Sequence, residues 1–123
     1  MIKKILIVDD SPVARAIIKK CLPKDRDFEL TEANNGQEGI QKFKEVRPDL
    51  TFLDLTMPVM DGFDALRVIK EEDNQAVVMV LSSDIQNKTV EKVFTLGADM
   101  VIPKPPSAES IQEALTKAAK LLV

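Results

Sequence analysis

Five short, mostly apolar runs punctuate the chain at residues 5–8, 28–33, 50–53, 76–81 and 100–102, and each is followed by a stretch whose apolar side chains recur at helical spacing. This alternation leaves few folds open. Strands separated by helices cannot pair as tight hairpins, so the sheet they build is parallel, joined by right-handed crossovers and covered by helices on both faces. The pattern predicts an α/β fold, a doubly wound sheet made of five strand–helix units. No Ser/Gly-rich or charge-run linker divides the sequence, so residues 1–123 read as one domain.

Local signals set the helix ends. Ser11 is placed to cap the first helix with Pro12 in its first turn; Ala14, Ile17 and Ile18 face inward, and the helix stops before Pro23. The second follows Asn34-Asn35-Gly36, carries Ile40, Phe43 and Val46, and ends before Pro48. The third starts after Asp61-Gly62 with Phe63, Leu66 and Ile69 inward; the fourth carries Val90, Val93 and Phe94 and ends near Gly97. Ser107 caps the fifth, which is expected to bury Ile111, Leu115, Ala118 and Leu122.

Composition removes whole classes of function. With no histidine and a single cysteine, Ser-His and Cys-His catalysis, His-ligated zinc and an internal disulfide are excluded, and Cys21 reads as a buried structural thiol. A net charge of -3 without a basic cluster argues against nucleic acid. No apolar run approaches the roughly 20 residues needed to span a bilayer, and the start of the chain lacks a signal-peptide pattern, so a cytoplasmic protein without membrane insertion is expected. The five aromatic residues are all Phe, which leaves an aliphatic core.

The first apolar run ends abruptly on two carboxylates, Asp9 and Asp10. At ~5 Å and an effective dielectric of ~20, two such groups repel by about 3 kcal/mol. In a doubly wound sheet the residues just past the strands share one edge, where ligands bind. Here those residues are Asp9-Asp10, Asp54, Ser82-Ser83 and Lys104-Pro105. Three converging carboxylates would repel by on the order of 10 kcal/mol, more than one lysine offsets. A divalent cation is the natural remedy, and hard oxygen donors without His or thiolate favour Mg²⁺.

The segments VDDS, FLDLTMPVMDG, VLSS and GADMVIPKP, in that order and spacing, resemble the receiver domain of two-component response regulators, most of all the single-domain chemotaxis type. The resemblance covers essentially the whole chain. It implies a flavodoxin-like sheet of strand order 2-1-3-4-5 and a cis Lys104-Pro105 peptide. It also implies a phosphoprotein in which Asp54 is the phosphoacceptor and Asp10 a direct Mg²⁺ ligand. Asp9 would be a ligand acting mainly through water, and the Thr56 backbone carbonyl a further ligand. Ser82 and Lys104 would contact the phosphoryl group. The donor would be a sensor histidine kinase or phosphotransfer protein, and a downstream target would read the face of the fourth helix, fifth strand and fifth helix. The protein itself would be a monomer and a signalling domain, not an enzyme.

Two positions depart from the family pattern: Val101 stands where an aromatic switch residue is common, and Pro106 where Phe is common. An aspartate-nucleophile phosphatase would need a second acid two residues after the nucleophile, and the triplet here is Asp54-Leu55-Thr56. A nucleotide-binding module would need a glycine-rich phosphate loop, and none of that spacing is present. A receiver piece of a longer regulator is the other reading; Met1 and the apolar Leu121-Leu122-Val123 are compatible with a complete protein.

Overall fold

The computed structural model describes residues 2–57 and 60–122. Met1, Pro58, Val59 and Val123, which the FLDLTMPVMDG motif and the terminal readings include, lie outside the described residues. Five strands alternate with five helices: β1 Lys4–Val8, α1 Pro12–Cys21, β2 Glu29–Ala33, α2 Gly36–Val46, β3 Leu50–Asp54, α3 Gly62–Glu72, β4 Val78–Ser82, α4 Asn87–Thr95, β5 Met100–Pro103 and α5 Ala108–Leu121. The sheet is parallel throughout, ordered β2-β1-β3-β4-β5.

Strand alternation divides the core in two. Ile5, Ile7, Phe52, Met79 and Leu81 point to the side covered by α1 and α5, where Ile18, Ile111 and Leu115 meet them. Leu6, Val8, Leu53 and Val80 point to the other, against Phe43 of α2, Leu66 and Ile69 of α3 and Val93 of α4. The interior strands β3 and β4 are buried at every position, as a sheet covered on both faces requires, whereas edge strand β2 leaves Glu29 and Leu30 exposed.

Ser11 and Ser107 cap their helices as the sequence puts them, and Asn35 and Asp61, read there only as turn residues, turn out to cap theirs. Ser11, Asn35, Asp61 and Ser107 each accept a backbone N–H in the first turn of α1, α2, α3 and α5. The Lys104-Pro105 peptide is cis. Gly97 ends α4 at φ 108°, a left-handed conformation that a side chain would strain.

Three side chains depart from the sequence expectation. Phe94 is 46% exposed, because α4 meets the sheet through Val93 and the next position is turned about 100° away from it. Leu122 is 39% exposed at the α5 C-cap, beyond the last turn that reaches the core. Cys21, at the end of α1, is only partly buried and packs against the core edge.

Candidate functional site

Strand order reverses between β1 and β3, and the carboxyl ends of these two strands carry the acids. Asp9 and Asp10 follow β1, Asp54 is the last residue of β3, Ser82 the last of β4, and Lys104 follows β5. One carboxylate oxygen from each of Asp9, Asp10 and Asp54 lies within 4.8 Å of the others, and no other such convergence occurs among the described residues. Asp9 and Asp54 are 1% and 3% exposed, while Asp10 faces solvent.

Lys104 bridges the two buried acids. Its Nζ donates to Asp9 Oδ2 at 3.1 Å and to Asp54 Oδ1 at 3.0 Å. The free oxygen of Asp9, Oδ1, accepts from the Ser11 backbone N–H at 2.9 Å, so this carboxylate also steadies the entry to α1. Burial would lower the Lys104 ammonium, but its hydrogen bonds and attraction to Asp54 and Asp9 outweigh that and raise its pKa above the ordinary lysine value. Asp54 is pushed above the usual carboxylate value, first by burial and further by the charge of Asp9, against the opposing pull of Lys104 and the Thr56 backbone N–H. One ammonium shared between two buried acids keeps its proton firmly and leaves Asp54 under-compensated.

Three carboxylates and one ammonium give the site a formal charge of -2, counted as -3 plus +1. A single divalent cation would neutralise it. The donors are all hard oxygens, the fit expected for Mg²⁺ and a poor one for metals that seek nitrogen or sulfur. Thr56 lies exposed two residues beyond Asp54, with its backbone N–H toward the Asp54 carboxylate.

Ser82 is buried at the same edge but is turned to its own loop. Its Oγ donates to the Asp84 carbonyl at 2.8 Å and accepts from the Asp84 N–H at 3.0 Å. Asp84 in turn accepts from Gln86 N at 3.0 Å and from Thr89 Oγ1 at 2.7 Å, bonds that hold its carboxyl below the usual range. The structure thus brings Asp9, Asp10, Asp54 and Lys104 together and commits the Ser82 hydroxyl elsewhere.

Two features escape the sequence reading. Arg15, on α1, donates from Nη1 to the Asp9 carbonyl at 2.6 Å and from Nε to Glu32 Oε1 at 2.8 Å. A cation six positions after Asp9 on an amphipathic helix reads as a solvated face; only the acidic Glu32 near the end of the second strand hinted at a partner. The second is Gly62, whose N–H donates to the Leu55 carbonyl at 2.7 Å. A Cβ at Gly62 would run into the Asp54 carbonyl oxygen and Leu55 Cα, so the first turn of α3 sits directly on the end of β3.

The fold agrees with comparisons to known proteins. The family model of the response regulator receiver domain matches residues 5–116. The chain is similar to the chemotaxis protein CheY of Listeria monocytogenes, 46% identical over 118 residues that cover 95% of this chain and 98% of that one. It is 41% identical to CheY of Bacillus subtilis over 95% of this chain and 98% of that one. Among solved structures, the CheX-CheY-BeF3-Mg+2 complex from Borrelia burgdorferi contains a chain that matches with a TM-score of 0.84 at 29% identity, covering 98% of this chain and 90% of that one.

Proposed function

The chain belongs to the response regulator receiver domain family, and on that premise we propose that Asp54 accepts a phosphoryl group with Mg²⁺ bound by Asp9, Asp10, Asp54 and the Thr56 backbone carbonyl. The observation that carries the reading is the convergence of three carboxylates on one edge with Lys104 bridging two of them. An Asp54 carboxylate oxygen forms the new bond to phosphorus as the bond from phosphorus to the donor breaks; an imidazole leaving group takes its proton from solvent. Bound Mg²⁺ would lower the charge of the acid cluster and of the incoming phosphoryl oxygens. Lys104, already 3.0 Å from Asp54 Oδ1, compensates charge on the same group.

The chain has no histidine, so the phosphoryl group comes from outside it: a sensor histidine kinase, a phosphotransfer protein or a small acyl phosphate. Thr56 stands where a phosphatase of the aspartate class carries its second acid, which favours a persistent acyl phosphate and a signalling domain over a turnover enzyme. For output, the Ser82 hydroxyl would leave Asp84 for the phosphoryl group and draw the following loop with it. The α4, β5 and α5 face, where Phe94 is exposed and Val101 replaces an aromatic ring, is the surface a target protein would read.

Incubation with acetyl phosphate and Mg²⁺ should add one phosphoryl group by mass, lost in Asp54→Asn and in the presence of a chelator. Labelling retained under either condition overturns the assignment.

A further inference from the structure

Resting on that reading of the acidic site, we propose that Arg15 is a positioning residue for the divalent cation, acting through the peptide that joins Asp9 to Asp10. Asp10 is exposed, and its carboxylate has no hydrogen-bond partner among the described residues. Its place beside Asp9 and Asp54 is therefore set by its backbone. That backbone is held from two sides: the Asp9 N–H donates to the Ala33 carbonyl at 3.1 Å, and the Asp9 carbonyl accepts from Arg15 Nη1 at 2.6 Å.

Arg15 is itself fixed. Its side chain is 12% exposed, and Nε donates to Glu32 Oε1 at 2.8 Å while Lys19 Nζ donates to Glu32 Oε2 at 3.0 Å. Glu32 lies on β2, paired with Ile7 of β1. The guanidinium thus spans from β2 to the carbonyl between the two acids, a two-pronged contact that its planar fork suits and a lysine cannot reproduce. Without it, the carbonyl of the Asp9–Asp10 peptide is free to rotate, and rotation of that peptide carries the Asp10 carboxylate away from Asp54.

The sign of the effect separates positioning from charge. Arg15 is a cation near a cation site, so through-space electrostatics alone predicts that its removal tightens Mg²⁺ binding; loss of the clamp predicts the reverse. Mg²⁺ titrations by calorimetry on the full chain, with circular dichroism as the control for folding, should show Arg15→Met weakening affinity about tenfold, in the range known for groups that orient metal ligands. Arg15→Lys keeps the charge but serves one partner at most; it should also bind several-fold more weakly, and it decides the question if Arg15→Met does not fold. Lys19→Ala, which touches only the far oxygen of Glu32, should stay within about twofold. Unchanged or tighter Mg²⁺ binding in the folded Arg15 variants overturns the clamp. Absence of Mg²⁺ binding in the parent chain overturns instead the reading of the acidic site.

Discussion

The end of β1 and the loop after β4 lie on the same edge of the sheet and are held by opposite means. Asp9 is tied to several elements besides its local bond from Ser11: Ala33 at the end of β2 on its N–H, Arg15 of α1 on its carbonyl, and Lys104, 95 residues away, on its carboxylate. The loop after Ser82 is tied mainly to itself, through bonds among Ser82, Asp84, Gln86 and Thr89 that span no more than five residues. Residues 83–88 are all exposed, and α4 begins without a side-chain cap. Tethers to several elements fix a group in place, because no single one can move without the others. A self-contained loop can change shape while the sheet stays as it is. The Asp9 carboxylate is built on the first kind of support and the Ser82 hydroxyl on the second.

The largest effect that would test this contrast is on stability. Ile7→Ala, in the fully buried centre of β1, should cost ~2–5 kcal/mol by chemical denaturation, whereas Ile85→Ala in the exposed loop should cost less than about 0.5. Comparable losses would mean the loop is as integral to the fold as the strand.

A smaller effect concerns the under-compensated acid. Asp54 has a folded-state pKa above its unfolded value, so its contribution favours folding below the unfolded pKa and is lost as pH rises through the folded one. At neutral pH without divalent cations, Asp54→Asn should therefore raise the melting temperature by a few degrees, for a gain of ~1 kcal/mol. The advantage should shrink as pH falls through the carboxylate range. Millimolar Mg²⁺ should narrow it too by stabilising the parent chain alone. A variant less stable than the parent at neutral pH would show that Lys104 fully compensates the site.

The smallest effect lies in the loop. Thr89→Ala removes the hydroxyl that donates to Asp84 and should cost under ~1 kcal/mol. Amide exchange should accelerate at residues 84–90 and stay unchanged in β1 and β3. Acceleration that spreads into β3 would erase the distinction between the two supports.

Much of this arrangement was legible in the sequence because it is written in local chemistry. Ser11-Pro12 and Ser107 announce helix starts by side-chain capping, and Asp61-Gly62 marks another as a turn, signals that depend only on neighbours a few positions away. The acids could be brought together because strand ends in a parallel sheet share an edge, so Asp9, Asp10, Asp54 and Lys104 needed only correct strand ends to meet. Where two partners compete for one group, sequence alone does not decide. Ser82 had the acid site on one side and the Asp84 backbone on the other, and the structure shows the loop holding it. Arg15 was hidden because its orientation depends on Glu32, 17 residues away on another element. Phe94 fitted the helical period, but α4 rests on the sheet through a narrower stripe than its apolar residues span.

Gly62 has a consequence for how freely such a chain can vary. With α3 resting on the carbonyl of Asp54 and the α-carbon of Leu55, the smallest side chain larger than hydrogen would have to push β3 and α3 apart. The separation of two backbones, and with it the seat of the Asp54 carboxylate, is thus set by the absence of one methyl group. Glycine in a turn usually marks a need for unusual torsion angles; here it marks a gauge, the thickness to which one strand–helix joint is cut. A mutation at that joint would shift the backbone that carries Asp54, and with it the reach between Asp54 and Lys104.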